Sequence, residues 1–174
     1  MIVVFLRGVN VGGHRTFRPT ELVKRLAHLD VVNIGAAGTF VVRKGIAQSR
    51  LRAELTRALP FATDLALVAG RDLLALLERP VFDGQPDRPD ITRFVTVLCK
   101  RPTSSPKFPA RYPASGQWLM LLLELDGRFV LGVYKRQMKA VGLLGDIDKL
   151  FGAPGTTRNW NTMRKIGDVV RRGG

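Results

Sequence analysis

The sequence predicts an α+β protein. Over residues 2–69 the apolar pattern runs strand, helix, strand, strand, helix, strand, the order of a split βαβ or ferredoxin-like βαββαβ unit. After residue 90 further strands and helices repeat that theme less completely. Of 174 residues, 45% are apolar and 24% charged, which suits a packed core and excludes disorder of the whole chain.

Ile2 to Leu6 is short, fully apolar and rich in β-branched residues, as a buried strand is. A glycine-rich loop follows. Pro19 then opens a helix in which Leu22, Val23, Leu26 and Leu29 recur at helical spacing, with proline in the first turn where its missing N–H costs nothing. Val31 to Val42 reads as two extended segments meeting around Gly35 to Gly38. A helix from Gln48 to Leu59 puts Leu51, Leu55, Ala58 and Leu59 on one face and stops before Pro60, because the residue preceding a proline disfavours helix. Leu65 to Ala69 is the next strand, and Leu73, Leu74, Leu76 and Leu77 supply a short helix ended by Pro80.

The proline, glycine and aspartate content of Pro80 to Pro89 marks a connection. The expected division is an N-terminal ferredoxin-like domain over 1–80, a linker over 81–90 and a basic α+β domain over 91–174. In the second half Thr92 to Leu98 reads as a strand. Gln117 to Leu125 and Arg128 to Tyr134 flank Asp126-Gly127, a hairpin signal. Between them Arg101 to Gly116 carries four prolines, which predicts an irregular excursion in place of the helix a second βαββαβ unit needs, or one short turn near Lys107 to Arg111. A helix from about Leu143 to Phe151, a Gly-Ala-Pro-Gly break and a last helix beginning at Thr156 or Thr157 complete the pattern.

The formal net charge is +14, from 28 basic and 14 acidic side chains. Along the chain it is uneven: residues 1–90 carry 13 basic and 9 acidic groups, residues 91–174 carry 15 and 5. Arg outnumbers Lys 20 to 8, as GC-rich coding alone produces, but such bias does not explain the shortage of acids. A basic half points to nucleic acid or another polyanion as partner. No apolar run approaches the roughly 20 residues of a spanning helix. Met1 leads directly into apolar residues without a basic leader, so the expectation is a cytoplasmic protein with no membrane partner. Cys99 and two histidines cannot build a zinc site, and Cys99 reads as a small apolar filler.

Three segments invite a chemical reading. Arg7-Gly8-Val9-Asn10-Val11-Gly12-Gly13 follows a strand, where glycines let backbone N–H groups approach a phosphate. It lacks nucleotide-motif spacing, and a glycine-permitted turn whose Asn10 bonds its own backbone accounts for it better. Around the start of the last helix, helical spacing places Trp160, Met163, Ile166, Gly167 and Val170 on one apolar stripe with Asn159 at its edge, and Arg158, Asn161 and Lys165 on the opposite face, open to an anion. An ordinary solvated face with Thr157 as N-cap fits the same residues. Lastly, Lys135-Arg136-Gln137-Met138-Lys139 reads as a charged loop. With Lys107, Phe108, Arg111 and Tyr112 of the proline-rich segment it supplies the cations and rings that single-strand binders use. No triad, metal cluster or cofactor fingerprint can be assembled: Asp146 and Asp148 diverge on a helix, and no serine has a neighbouring base. Catalytic residues, a metal and a cofactor are therefore not assigned.

Leu6-Arg7-Gly8-Val9-Asn10-Val11-Gly12-Gly13 near one end and Thr156-Thr157-Arg158-Asn159-Trp160-Asn161-Thr162 near the other resemble the two hallmark segments of the family called domain of unknown function 1697, in the same order. The resemblance covers essentially the whole chain. It implies a bacterial protein with two ferredoxin-like plaits in tandem and implies no activity. Where the family has Ser-Gly-Asn between its second and third strands, this chain has Ala37-Gly38-Thr39, so a ligand held there in relatives is held differently or not at all.

Two functions follow as expectations. One is a non-enzymatic binder of nucleic acid or another polyanion through Lys107, Arg111, Lys135, Arg136, Lys139 and Lys165. The other is a site for a phosphorylated or carboxylated small molecule, catalytic or not, formed by Arg7, Gly8, Asn10, Gly12, Gly13, Arg158, Asn159 and Asn161.

Overall fold

The computed structural model describes residues 1–9 and 17–173. Among these residues it is a mixed α+β chain of nine strands and five α-helices, the strands forming two antiparallel sheets. The chain divides into two compact units, Met1–Glu78 with Arg164–Gly174, and Arg79–Met163.

In the first unit β1 (Ile2–Leu6), β2 (Val31–Asn33), β3 (Thr39–Val42) and β4 (Leu65–Ala69) lie in the order β2-β3-β1-β4, every pair antiparallel. Helices α1 (Pro19–Arg25) and α2 (Gln48–Ala58) connect them. The register sets Val4 opposite Phe40 on one side and Leu67 on the other, and these three share a core with Leu22, Leu51 and Leu55 of the helices. Burying each such side chain contributes roughly 1.5–3 kcal/mol. Val3 and Phe5, facing the other way, are buried as well. A strand covered on both faces has no polar alternation to show, which is why Ile2 to Leu6 is unbroken in its apolarity.

Gly38 has a φ of +69°, and a β-carbon there would strike Leu6 and Val9; its carbonyl accepts the Leu6 N–H at 2.8 Å. The Ala37-Gly38-Thr39 step thus works as a tight turn. Helix α3 (Gly70–Leu77) follows β4 without a loop, and α5 (Trp160–Arg172) brings Gly167 so close to Leu77 that a β-carbon there would displace the end of the Leu77 side chain. The expected boundary at 81–90 differs from the observed division in this respect: residues 164–173 pack with the first unit.

That division also corrects the reading of charge. Counted by unit, residues 1–78 with 164–174 carry 15 basic and 7 acidic side chains, and residues 79–163 carry 13 and 7. The asymmetry along the sequence arises because the basic helix α5 follows the second unit in the chain while most of it packs with the first.

The second unit holds β5 (Ile91–Leu98), β6 (Ala110–Tyr112), β7 (Met120–Asp126), β8 (Phe129–Lys135) and β9 (Gly155–Asn159) in the order β6-β7-β8-β5-β9. Phe94, Leu98, Met120, Leu122 and Val130 form its core with Ile147 and Phe151 of α4 (Met138–Phe151). Three local expectations need correction. The proline-rich segment contains an edge strand, β6, and its preceding part closes the end of α4: the Thr103 N–H and the Ser104 hydroxyl donate to the carbonyls of Phe151 and Leu150 at 2.9 and 2.8 Å. These carbonyls have no partner inside the helix. Helix α4 begins at Met138 rather than near Leu143; Gly142 and Gly145 obscure a periodicity that Ala140, Ile147 and Phe151 maintain. Finally, Thr156 and Thr157 belong to a strand, as β-branched residues favour, and the last helix starts at Trp160.

Candidate functional site

The pairing of β5 with β8 sets Ile91 beside Lys135 at one end of the second sheet and Val97 beside Phe129 at the other. Six residue steps along β5 at about 3.3 Å each separate these ends by roughly 20 Å. Lys100 and Arg101 follow β5 out of the second end, and Lys107 precedes Phe108, whose ring stacks on Phe151 at the close of α4 with centroids 6.3 Å apart. Lys135, Arg136 and Lys139 lie at the first end, at the close of β8 and the opening of α4, whereas Arg111, between the core-packed Ala110 and Tyr112 of the edge strand β6, faces the side of the sheet away from α4. The expected basic residues of this unit are therefore spread over both ends and both faces of its sheet.

At the first end the local geometry is specific. Arg136 is fixed by its Nε–H, which donates to the Thr92 hydroxyl at 3.0 Å, and by its backbone N–H, which donates to the Asp90 carbonyl at 2.8 Å. Among the described residues no carboxylate pairs with Arg111, Arg136 or Lys139. Gln137 caps α4 without a side-chain hydrogen bond, and no acidic residue stands in the first turn. The partial positive charge of the helix start adds to that of the side chains. Met138 and Val141 are the exposed large apolar residues of the described chain, 87% and 54% accessible.

Lys135 differs from the expectation of a solvated loop residue. It ends β8 with only 9% of its surface accessible, and its ammonium lies over the Trp118 ring. Phe108 and Tyr112 are half-buried and pack against the core of this unit, where burial raises the Tyr112 hydroxyl above its ordinary pKa.

The closing motif is rearranged as well. Arg158 is on strand β9, opposite Val95, not on a helix face with Asn161 and Lys165. It is 8% accessible, its Nη1 donates to the Thr156 hydroxyl at 2.7 Å and the Thr157 carbonyl at 2.9 Å, and burial lowers its guanidinium to about 10. Asn159 is exposed, and its Oδ1 accepts the Thr162 N–H at 2.8 Å, so it, and not Thr157, is the N-cap of α5. Trp160 meets Phe82 edge-on with centroids 4.9 Å apart. Asn161 and Lys165 are exposed on α5, Lys165 among residues of the first unit.

In the opening motif Arg7 lies 3.7 Å from the Asp64 carboxylate, its carbonyl accepts the Thr63 hydroxyl at 2.6 Å, and Gly8 is exposed. Asn10, Gly12 and Gly13 lie outside the described residues. The site members not anticipated from the sequence are Met138 and Val141; their signal was the mixture of apolar and basic residues from Lys135 to Val141, continued by glycines at 142 and 145.

Fold and site together define an α+β protein of two antiparallel sheets with a cationic, partly apolar end on its second unit. No family model matches the chain, and no curated protein or solved structure matches it. No described helix is long and apolar enough to cross a membrane.

Proposed function

We propose that the protein is a non-enzymatic binder of nucleic acid or another polyanion, acting through the cations at the Ile91 and Lys135 end of its second sheet. The observation that carries this reading is the pair of exposed cations Arg136 and Lys139, without carboxylate partners among the described residues, at a helix start that holds no acid. In the same reading the chain is a bacterial, cytoplasmic member of the domain of unknown function 1697 family. Each sheet would then be one ferredoxin-like plait. The orders β2-β3-β1-β4 and β7-β8-β5-β9, which follow one scheme, support that, with β6 and the proline-rich segment standing where the second plait's first helix would be. The small-molecule alternative is weakened because Arg7 is engaged by Asp64, and Arg158 by Thr156 and Thr157.

Fluorescence anisotropy with labelled single-stranded and duplex oligonucleotides, and competition by polyphosphate, tests the proposal. Binding should weaken steeply between about 50 and 200 mM salt as counterions are released. Absence of binding to all of these polyanions at about 50 mM salt overturns it.

A further inference from the structure

Phosphate contacts alone do not account for the N-terminal half of α4. Met138, between Arg136 and Lys139, and Val141, two residues after Lys139, are exposed, and the next residues on that face, Gly142 and Gly145, have nothing within 4 Å of where a β-carbon would be. Neither glycine is among the residues of positive φ. They are required by no turn and by no internal packing, in an element where glycine is the poorest residue after proline. The face is thus a short shelf: two apolar side chains, then bare backbone, flanked at its start by two cations.

From this juxtaposition we infer that the α4 shelf binds single-stranded nucleic acid, Arg136 and Lys139 taking phosphates while unstacked bases lie on Met138, Val141 and the Gly142–Gly145 backbone. This rests on the polyanion reading and narrows it. A ligand for this face must combine negative charge with flat apolar surface within a few ångströms. A single strand presents both, because its bases are free to turn outward. A duplex keeps its base faces stacked and offers such a surface mainly phosphates.

The test compares the full chain with Met138→Ser/Val141→Ser and with Arg136→Ala/Lys139→Ala, using a dT12 strand, a 12-base-pair duplex, polyphosphate and vesicles of phosphatidylserine. The expected result is tighter binding of the strand than of the duplex, and a loss of about tenfold in strand affinity in the Ser double variant, with duplex affinity and salt slope unchanged. The Ala double variant should weaken strand and duplex alike. Equal binding of strand, duplex and polyphosphate, unaltered by the Ser double variant, overturns this inference and leaves the polyanion reading standing. Binding to no polyanion removes both. Vesicle binding lost in the Ser double variant, without a preference for the strand, overturns the inference in favour of a bilayer surface.

Discussion

The Lys135 ammonium sits 5.0 Å from the centre of the Trp118 ring. The Lys135 stem is buried at the end of β8, and its charge is met by the face of an aromatic ring rather than by a carboxylate. A buried stem stabilises through packing and the ammonium through the ring quadrupole, together about 1–2 kcal/mol. Lys135→Ala and Trp118→Ala should therefore each lower the urea unfolding midpoint. Lys135→Ala should shift the salt slope of polyanion binding by far less than one unit. A slope lowered by a full unit would show that Lys135 neutralises a phosphate instead.

Arg136 and Lys139 hold their charge without an acidic partner. Each substitution to Ala should reduce the slope of log K against log salt by about 0.7 for a single strand and about 0.9 for a duplex, with little change in unfolding midpoint. The midpoint is the control here, because Arg136 also bonds to Thr92. A loss of affinity that vanishes once stability is restored would mean that the arginine only holds β5 to the start of α4.

Asn159 accepts the Thr162 N–H and so satisfies one of the free donors at the start of α5. Asn159→Ala should cost about 1 kcal/mol by urea unfolding, while Asn159→Asp should cost no more than a few tenths, since a carboxylate caps equally well. If Asn159→Ala alters ligand affinity and leaves stability untouched, the residue serves a ligand rather than the helix.

The glycines of α4 should separate into two kinds. Gly142→Ala and Gly145→Ala enter open space and should each raise stability by about 0.5–1 kcal/mol. Gly152 closes the helix at a φ of +59° with Thr103 directly against it, so Gly152→Ala should lower stability by more than about 1 kcal/mol. Unfolding curves of the three variants decide this. On the shelf reading the first two gain stability and lose strand affinity.

Acid dependence centres on Glu54. His28 Nε2 lies 2.8 Å from its Oε2, and Arg50 donates to Oε1 at 3.4 Å. The His28 hydrogen bond is the main cause that lowers the Glu54 carboxyl below its ordinary value. A depressed carboxyl stabilises the fold above its unfolded pKa and loses that contribution as pH falls through the folded value. The stability gap between the wild type and His28→Ala should therefore be present at about pH 5 and close below it. A gap that is constant with pH would mean that His28 acts by packing.

The first unit was largely legible in the sequence, because its signals are local: the proline of α1, the proline after α2, and leucines at helical spacing. The second unit was less so. Its β9 consists of residues that are also good helix caps, and only the pairing of Thr157 with Thr96 across the sheet settles which role they take. Their hydroxyls lie 2.6 Å apart. The basic site was half legible: residue type marked Arg111, Arg136 and Lys139 correctly as exposed, but nothing local reveals that Lys135 and Arg158 are buried. Which cations keep their charge in solvent depends on strand register, and register joins residues far apart in the chain.

Helix α5 changes what it means for this protein to be made from one end to the other. Residues 164–172 of α5 pack with α3 of the first unit, where Gly167 meets Leu77 and Gly70 meets Val170. The unit begun first in synthesis is thus completed last. While residues 79–163 are being translated, the side of Gly70, Leu74 and Leu77 that α5 will cover waits without its partner, and a fragment cut after residue 78 would carry that gap permanently.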